Sequence, residues 1–558
     1  EGCVRHCSVH AAGVVIAPFT LTDAVPLQYE PRGEKIITQY DMHVVEDIGL
    51  LKFDFLGIKN LSILGDAVRL AKETTGTKVD LDNVNLNDKK TFDMLARGET
   101  MGLFQLNGSG MTKYLKELRP TTIHDINAMV ALYRPGPIES IPQYIERKHD
   151  PKKVNYLDPR MKEILIDSYG VITYQDDVML IAIHLAGYSW LEADKLRKAM
   201  GKKIPKDMEV QKTKLLEGFK GGGLSEAQSQ ELWLLIEPFA AYGFNKAHAA
   251  SYGRVAYQTA YMKANFPVEY MTAVLTADAG DIDETSLIIA ECNRMKLPVL
   301  PPSVNHSNGS FTAVKNKNGD QIRFGLFAIK NLGEEISKAI IEERKQNGEY
   351  KTLSNFLDRV RHKNLNKKSL ESLIKAGALD ELGERGQMMA NMEDALAYNR
   401  ANAKDAGNQI SLFGEMGNKE SIPDLRLKLA EPTSVFERLA WEKELLGLYL
   451  SGHPLDRHKE KFAKKENTIG HIKTLSDSAT VVIAGLIDSV RTITTKKNDM
   501  MAFVKISDYN DSIEVVVFPK AYIENKNLIV AEKIVAIRGK ISLRNGEVGI
   551  IADAIKEL

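Results

Sequence analysis

The segment Gly49-Leu50-Leu51-Lys52-Phe53-Asp54-Phe55-Leu56-Gly57 sets an ammonium and a carboxylate two residues apart in an extended apolar run. Alternate side chains of a strand share a face, so Lys52 and Asp54 point one way while Leu51, Phe53 and Phe55 line the other and are expected to anchor the sheet. A carboxylate and an ammonium placed like this suit a divalent metal and a phosphate, the requirements of phosphoryl and nucleotidyl transfer. For an isolated strand the commoner occurrence is an ordinary Lys/Asp pair on a solvated face.

Two helical segments carry further cations. Ser189-Trp190-Leu191-Glu192 has the form of a capping box, opening a helix expected to close at Gly201, with Arg197, Lys198, Lys202 and Lys203 at its last turn and exit. Compensation of the helix dipole needs only one or two basic residues, so four point to an anion. After Gly243, Asn245 is a good N-cap for a helix with Lys246 in its first turn and His248 and Tyr252 on one face. A helix start with free N–H groups and a lysine suits a phosphate. Tyr257 and Tyr261 further along that helix are expected simply to pack.

Cys3, His6, Cys7 and His10 are zinc-ligand types that could share one helical stripe, but one rigid face cannot wrap a tetrahedron, so His10 is expected to order the entrance of the strand region instead. Asp281-Ile282-Asp283 is expected to be a helix-capping loop. Gln409-Ile410-Ser411-Leu412-Phe413 exposes an apolar pair inside a polar connector with no obvious core to join.

The elements that must position these residues follow from periodicity. Val14-Val15-Ile16-Ala17, Ile36-Ile37-Thr38 and Ile48 to Leu56 read as strands, and residues 58 to 300 are mostly amphipathic helix broken at Arg134-Pro135-Gly136-Pro137 and Gly221-Gly222-Gly223. Short helices interrupted at Asn331-Leu332-Gly333 and Ala376-Gly377 read as two hairpin-linked pairs. From Asn399 to Pro432 the chain is an exposed connector. The last 85 or so residues alternate as strands, with Asn545-Gly546 predicting a tight hairpin and Lys496 and Lys497 in the first long loop.

The chain has 558 residues, 44% of them apolar, too many for one core, so several domains in series are expected. Lys+Arg and Asp+Glu both number 74, leaving no global field for a polyanion and making any nucleic-acid surface local. Three cysteines without a secretory leader suggest a reducing, cytoplasmic setting, and no apolar run reaches the roughly 20 residues that span a bilayer. The start at Glu1 reads as N-terminal truncation. No Gly-x-x-x-x-Gly-Lys-Ser/Thr loop supports a nucleotide hydrolase.

The Lys52-Phe53-Asp54 strand resembles the third catalytic-aspartate strand of the bacterial C-family replicative DNA polymerases, the DNA polymerase III alpha subunits. Matching segments follow in order at residues 9–17, 102–106 (Gly-Leu-Phe-Gln-Leu), 131–137 (Ala-Leu-Tyr-Arg-Pro-Gly-Pro), 169–175, 196–203, 242–248 and 447–454 (Gly-Leu-Tyr-Leu-Ser-Gly-His-Pro). Seven collinear matches are more specific than any one.

The resemblance implies a multidomain α+β protein. Its parts would be the C-terminal part of a mixed-sheet palm (1–57), large mostly helical fingers (58–320), a tandem helix-hairpin-helix region (321–400), a clamp-binding connector with helices (401–470) and a C-terminal OB-fold β-barrel (471–558). It implies template-directed synthesis from dNTPs on primer-template DNA with Mg²⁺ in a two-metal site, in the form without a built-in exonuclease. Asp54 becomes a metal carboxylate and Lys52 a triphosphate contact, while Arg197, Lys198, Lys202, Lys203, Asn245, Lys246 and His248 become nucleotide-binding residues. Gln409, Leu412 and Phe413 become anchors for the sliding clamp (beta subunit), and other replisome subunits become partners. The hairpins hold backbone phosphates and the barrel contributes at most ancillary template binding. In the family two more metal carboxylates lie on an upstream Asp-x-Asp strand, so these 558 residues alone are expected to be inactive. The alternative is a non-catalytic, clamp-tethered DNA-binding protein that keeps the scaffold.

Overall fold

A computed structural model describes residues 7–31, 33–202, 205–237, 243–315, 319–405, 425–458, 460, 468–495, 498–509, 511–544 and 547–558. The chain divides into two compact units, Glu1–Ser62 and Ile63–Leu558.

In the first unit β1 (Gly13–Ile16) pairs antiparallel with β4 (Leu51–Asp54), and β2 (Leu27–Tyr29) with β3 (Ile36–Thr38). The β-branched runs at 14–16 and 36–38 form the expected strands. A helix absent from the sequence reading, Met42–Asp47, intervenes, because Asp41 caps it by accepting the N–H groups of His43 and Val44. Val25, Val45 and Leu50 form a small core with Val15 and Leu21 packed on it. Cys7 and His10 lie on irregular backbone, not on a helical stripe.

The aromatic anchoring expected of β4 is not found. Leu51, Phe53 and Phe55 are 58%, 42% and 65% exposed, and their β1 partners Val14 and Ile16 are each 47% exposed. In a two-stranded ribbon no second layer covers the face turned away from the core, and there Phe53 and Phe55 meet each other, their ring centres 6.1 Å apart.

The second unit begins with helices, as the 3.6-residue periodicity requires, from the remainder of Lys59–Thr75 through Ile282–Arg294. Four of them bear on function: Ile123–Leu132, Gln175–Ala186, Trp190–Lys202 and Lys246–Asn265. The 175–186 helix packs on the 190–202 helix, and the 123–132 helix on the 246–265 helix. A three-stranded sheet the sequence reading missed follows, with β7 (Gln321–Arg323) between parallel β5 (Val299–Leu300) and antiparallel β6 (Thr312–Val314). Strands of two or three residues leave too little alternation to detect.

The hairpin-linked helices run from Glu334–Asn347 through Leu353–Arg359, Lys367–Lys375 and Arg385–Ala390. At the two breaks between helices, Asn331 at φ 66 and Gly377 at φ 80 adopt the left-handed conformation. Val435–Leu446 then leads to the Gly447–Pro454 turn.

The chain ends in a closed five-stranded barrel of order β10-β12-β11-β8-β9, from β8 (Thr480–Thr494), β9 (Met500–Ser507), β10 (Ser512–Val517), β11 (Ile534–Arg544) and β12 (Glu547–Glu557). Closure comes from the parallel pairing of β10 with β12, and inward Ile and Val side chains such as Ile483, Val504, Val515 and Ile537 fill the interior. β11 and β12 pair antiparallel up to Arg544 opposite Glu547, as the Asn545-Gly546 hairpin requires, although those two residues lie outside the described ones. The ladder shifts register between Arg538 and Gly539, where a side chain at 539 would run into the Ile551 carbonyl.

Candidate nucleotide and metal site

In the first unit, Asp54 sits opposite Gly13 in the ladder and Lys52 opposite Val15. The Lys52 ammonium donates to both carboxylate oxygens of Asp54, at 2.8 and 2.9 Å. Lys52 is largely covered, with 14% of its side chain exposed, whereas 44% of the Asp54 side chain faces solvent. The lysine hydrogen bond, with the charges of Lys52 and His10, holds the Asp54 carboxyl below the usual aspartate range. His10 Nδ1 lies 3.9 Å from the Asp54 carboxylate and 3.3 Å from the Ala12 backbone nitrogen.

The residues present do not by themselves fit Mg²⁺. Such a cation takes six oxygens in near-octahedral array, and among the described residues no group of three or more His, Cys, Asp or Glu could hold a metal. Cys7 accepts from the Gln28 amide at 3.0 Å; Cys3 and His6 lie outside the described residues.

In the second unit the Ser189–Glu192 capping box is present, the Ser189 N–H and hydroxyl both donating to the Glu192 carboxylate at 2.8 Å. The helix does not close at Gly201 but runs to Lys202. Arg197 and Lys198 are not two free cations: both bind Asp194, at 2.7 and 2.8 Å, since spacings of three and four put all three on one face. Lys203 and the side chain of Lys202 lie outside the described residues.

Asn245 caps the 246–265 helix as expected, its side chain accepting the His248 N–H at 2.8 Å. The backbone of that helix start is otherwise not as open as the sequence suggested. Asp176 accepts the Lys246 N–H at 2.8 Å, so a carboxylate and the cap already hold two of the N–H groups reserved for an anion. The Lys246 ammonium remains exposed over the Tyr174 ring, 5.6 Å from its centre. Behind it Asp177 is buried and accepts the N–H groups of Thr173 and Tyr174, both at 2.9 Å; burial pushes its carboxyl up to about 6 despite those bonds and Lys246.

Sequence reasoning missed what surrounds His248. Its ring lies 5.0 Å from Phe244 and 4.2 Å from Tyr252, and Tyr252 lies 5.2 Å from Phe104. On the other side the Arg134 guanidinium stacks 3.8 Å over Phe244. Segments near 104, 134, 174 and 244 thus meet in one column, and the Gln175 N–H donates to the Phe244 carbonyl. The only signal available beforehand was that all four belong to the collinear matches. Tyr257 is wholly buried, as expected, and donates to the Asn85 carbonyl. Asp281 caps Ile282–Arg294, also as expected. Gln409, Leu412 and Phe413 lie outside the described residues, as do Lys496 and Lys497.

A helical body carrying an aromatic column with Arg134 and Lys246 beside it, hairpin-linked helices and a five-stranded barrel make a multidomain α+β scaffold, and family models match its parts in order. They are the bacterial DNA polymerase III alpha NTPase domain over residues 1–57, the alpha subunit finger domain over 60–223, a helix-hairpin-helix motif over 296–388 and an OB-fold nucleic acid binding domain over 481–558.

By sequence the chain is similar to bacterial DNA polymerase III alpha subunits. It is 43% identical to DNA polymerase III subunit alpha of Thermus aquaticus, over 94% of this chain and 43% of that protein. It is 40% identical to the protein of the same name from Deinococcus radiodurans, over 100% of this chain and 43% of that one. With that of Pseudomonas aeruginosa it shares 38% identity over 97% of this chain and 48% of that one. The chain spans somewhat less than half the length of these relatives.

Proposed function

We propose that this chain is the nucleotide- and template-handling portion of a DNA-directed DNA polymerase that joins a primer 3′-hydroxyl to an incoming dNTP with release of pyrophosphate. The observation that carries the proposal is the Lys52/Asp54 pair: an exposed carboxylate kept ionised by a lysine on the same strand face, within the segment matched by the polymerase NTPase-domain model. In this reading Asp54 is a catalytic carboxylate and Lys52 binds triphosphate. Arg197, Lys198, Lys202, Lys203, Asn245, Lys246 and His248 handle the nucleotide. One carboxylate does not satisfy a hard divalent cation, so the 558-residue chain alone is proposed to be inactive, and Mg²⁺ belongs to an assembly to which Asp54 contributes.

The hairpin-linked helices and barrel suit backbone and single-strand contacts with primer-template DNA. Gln409, Leu412 and Phe413 are proposed to engage the sliding clamp beside other replisome subunits, in the cytoplasm; no described helix is long and apolar enough to cross a membrane. The test is primer extension by a polypeptide joining this chain to the upstream palm of its relatives. Extension is expected, with Asp54→Asn abolishing it. Undiminished extension by Asp54→Asn would refute the assignment, and failure of the unsubstituted fusion to extend, with clamp and DNA still bound, would favour a non-catalytic clamp-tethered DNA binder.

A further inference from the structure

Within the 131–137 segment Arg134 stands over an aromatic ring, in contrast to Arg197 and Lys198, which are paired with Asp194. Pro135 keeps residue 134 out of the helical conformation, so the chain leaves Ile123–Leu132 there. The Arg134 N–H donates to the Leu132 carbonyl at 2.7 Å and its own carbonyl accepts the Ile138 N–H at 3.0 Å, which fixes the backbone on both sides. The side chain is exposed, and its guanidinium carbon lies over the Phe244 ring, 3.8 Å from the ring centre. Among the described residues it has no carboxylate partner.

A guanidinium held over a ring by cation–π attraction keeps N–H groups available to bind a phosphate through two parallel hydrogen bonds. The stack also removes much of the rotamer freedom that binding would otherwise have to freeze. Phe244 packs against a cluster formed by Ala131, Tyr174 and Ala249, and Tyr174 is the ring beneath the Lys246 ammonium. Two cations that make no ion pair within 4 Å among the described residues, one from the 131–137 segment and one from the 246–265 helix, are therefore mounted on the rings of a single cluster. Two carboxylates adjoin it: Asp176, which accepts the Lys246 N–H, and Asp177, which is buried and accepts the N–H groups of Thr173 and Tyr174. Arg197 and Lys198, by contrast, share Asp194.

We propose that Arg134 is a phosphate-contacting residue acting with Lys246, the pair forming an anion site across the Tyr174–Phe244 cluster. This deepens the nucleotide-handling reading and rests on it only for the identity of the ligand. The phosphate belongs either to the triphosphate of a nucleotide or to a DNA backbone, and the same residues would serve both.

The experiment measures binding by the 558-residue protein, without any synthesis step, of inorganic tripolyphosphate and, separately, of a primer-template duplex over a salt series. Arg134→Ala should weaken tripolyphosphate about tenfold, the loss of one charge-assisted contact. Arg134→Lys should restore only part, because an ammonium cannot present a stacked two-pronged edge. Phe244→Leu, which keeps the guanidinium and removes its platform, should fall between wild type and Arg134→Ala. If tripolyphosphate is unaffected but duplex affinity falls and its salt slope becomes shallower by about one, the phosphate bound is that of the DNA backbone. Wild-type binding of both probes by Arg134→Ala, with unchanged salt slope, would overturn the proposal. So would an equal loss in Arg134→Ala and Arg134→Lys that tracks a lowered melting temperature. Tripolyphosphate binding lost in Arg134→Ala stands even if the fusion with an upstream palm fails to extend a primer, so the two readings fail separately.

Discussion

The Arg385 guanidinium meets the Glu442 carboxylate in the interior of the second unit, Nη1 and Nη2 each 3.2 Å from Oε1, with 3% and 0% of the two side chains exposed. The other Glu442 oxygen accepts the N–H groups of Leu450 and Ser451, at 3.0 and 2.9 Å, and Arg385 also holds Asp380. From the same turn the His453 ring meets Tyr449 edge-on and lies tilted against Tyr509 of the barrel, 4.7 Å from the latter. This explains the Gly447–Pro454 segment physically: it fastens the hairpin-linked helices to the barrel.

Breaking that junction should be costly, because the surviving partner is a buried charge. Glu442→Ala is expected to destabilise the second unit by about 3–5 kcal/mol in denaturant titrations, and replacing both Glu442 and Arg385 by apolar residues to recover much of the loss. A cost below about 1 kcal/mol would show that the pair is not buried in solution.

Gly377 bears on the same node. At φ 80 any side chain is strained, and a Cβ there would run into Arg385 Nη2. Gly377→Ala should cost about 1–3 kcal/mol, and its effect should be less than additive with Glu442→Ala, because both act through Arg385. Strict additivity in a double-variant cycle would count against that coupling.

Asp177 gives a pH signature. Burial raises its carboxyl from an ordinary value near 3.8 to about 6, so the folded state binds the proton more tightly than the unfolded chain. Its stabilising contribution is present in full below about pH 4 and is lost as pH rises through about 6, a change of about 3 kcal/mol at most. Asp177→Asn cannot titrate, and chemical denaturation at a series of pH values should show this falling component removed between pH 4 and 6. An unchanged slope would mean that Asp177 is ionised throughout.

Asp194 binds both Arg197 and Lys198. If those two residues engage a nucleotide, Asp194→Asn should free them and tighten tripolyphosphate binding, most visibly at low salt where charge is least screened. Weaker binding would instead make Asp194 the residue that aims the two cations.

Asp54 and Lys52 form a pair at an open surface, and such pairs add little to folding. Asp54→Asn should leave the melting temperature of this chain essentially unchanged. A large drop would identify the pair as structural and withdraw the support it lends to catalysis.

Local chemistry was legible in the residues themselves. Alternating β-branched runs gave the strands at 13–16 and 36–38 and the barrel strands. Cap signatures at Ser189, Asn245 and Asp281 gave helix starts, and the glycine-containing segments near 331 and 377 gave breaks between helices. These depend on neighbours within a few positions, where sequence spacing is a distance.

What the tertiary structure alone decided is which charges stay free. Nothing near Arg134 announces that Phe244 will lie beneath it, and nothing near Lys246 announces that Asp176, 70 positions away, will take its N–H. The exposure of Leu51, Phe53 and Phe55 was equally hidden, because alternation assigns a side chain to a face but does not say whether another layer covers that face. Pairing between distant segments is set by packing of whole elements, and it is that packing which neutralises one cation and leaves another open to a ligand.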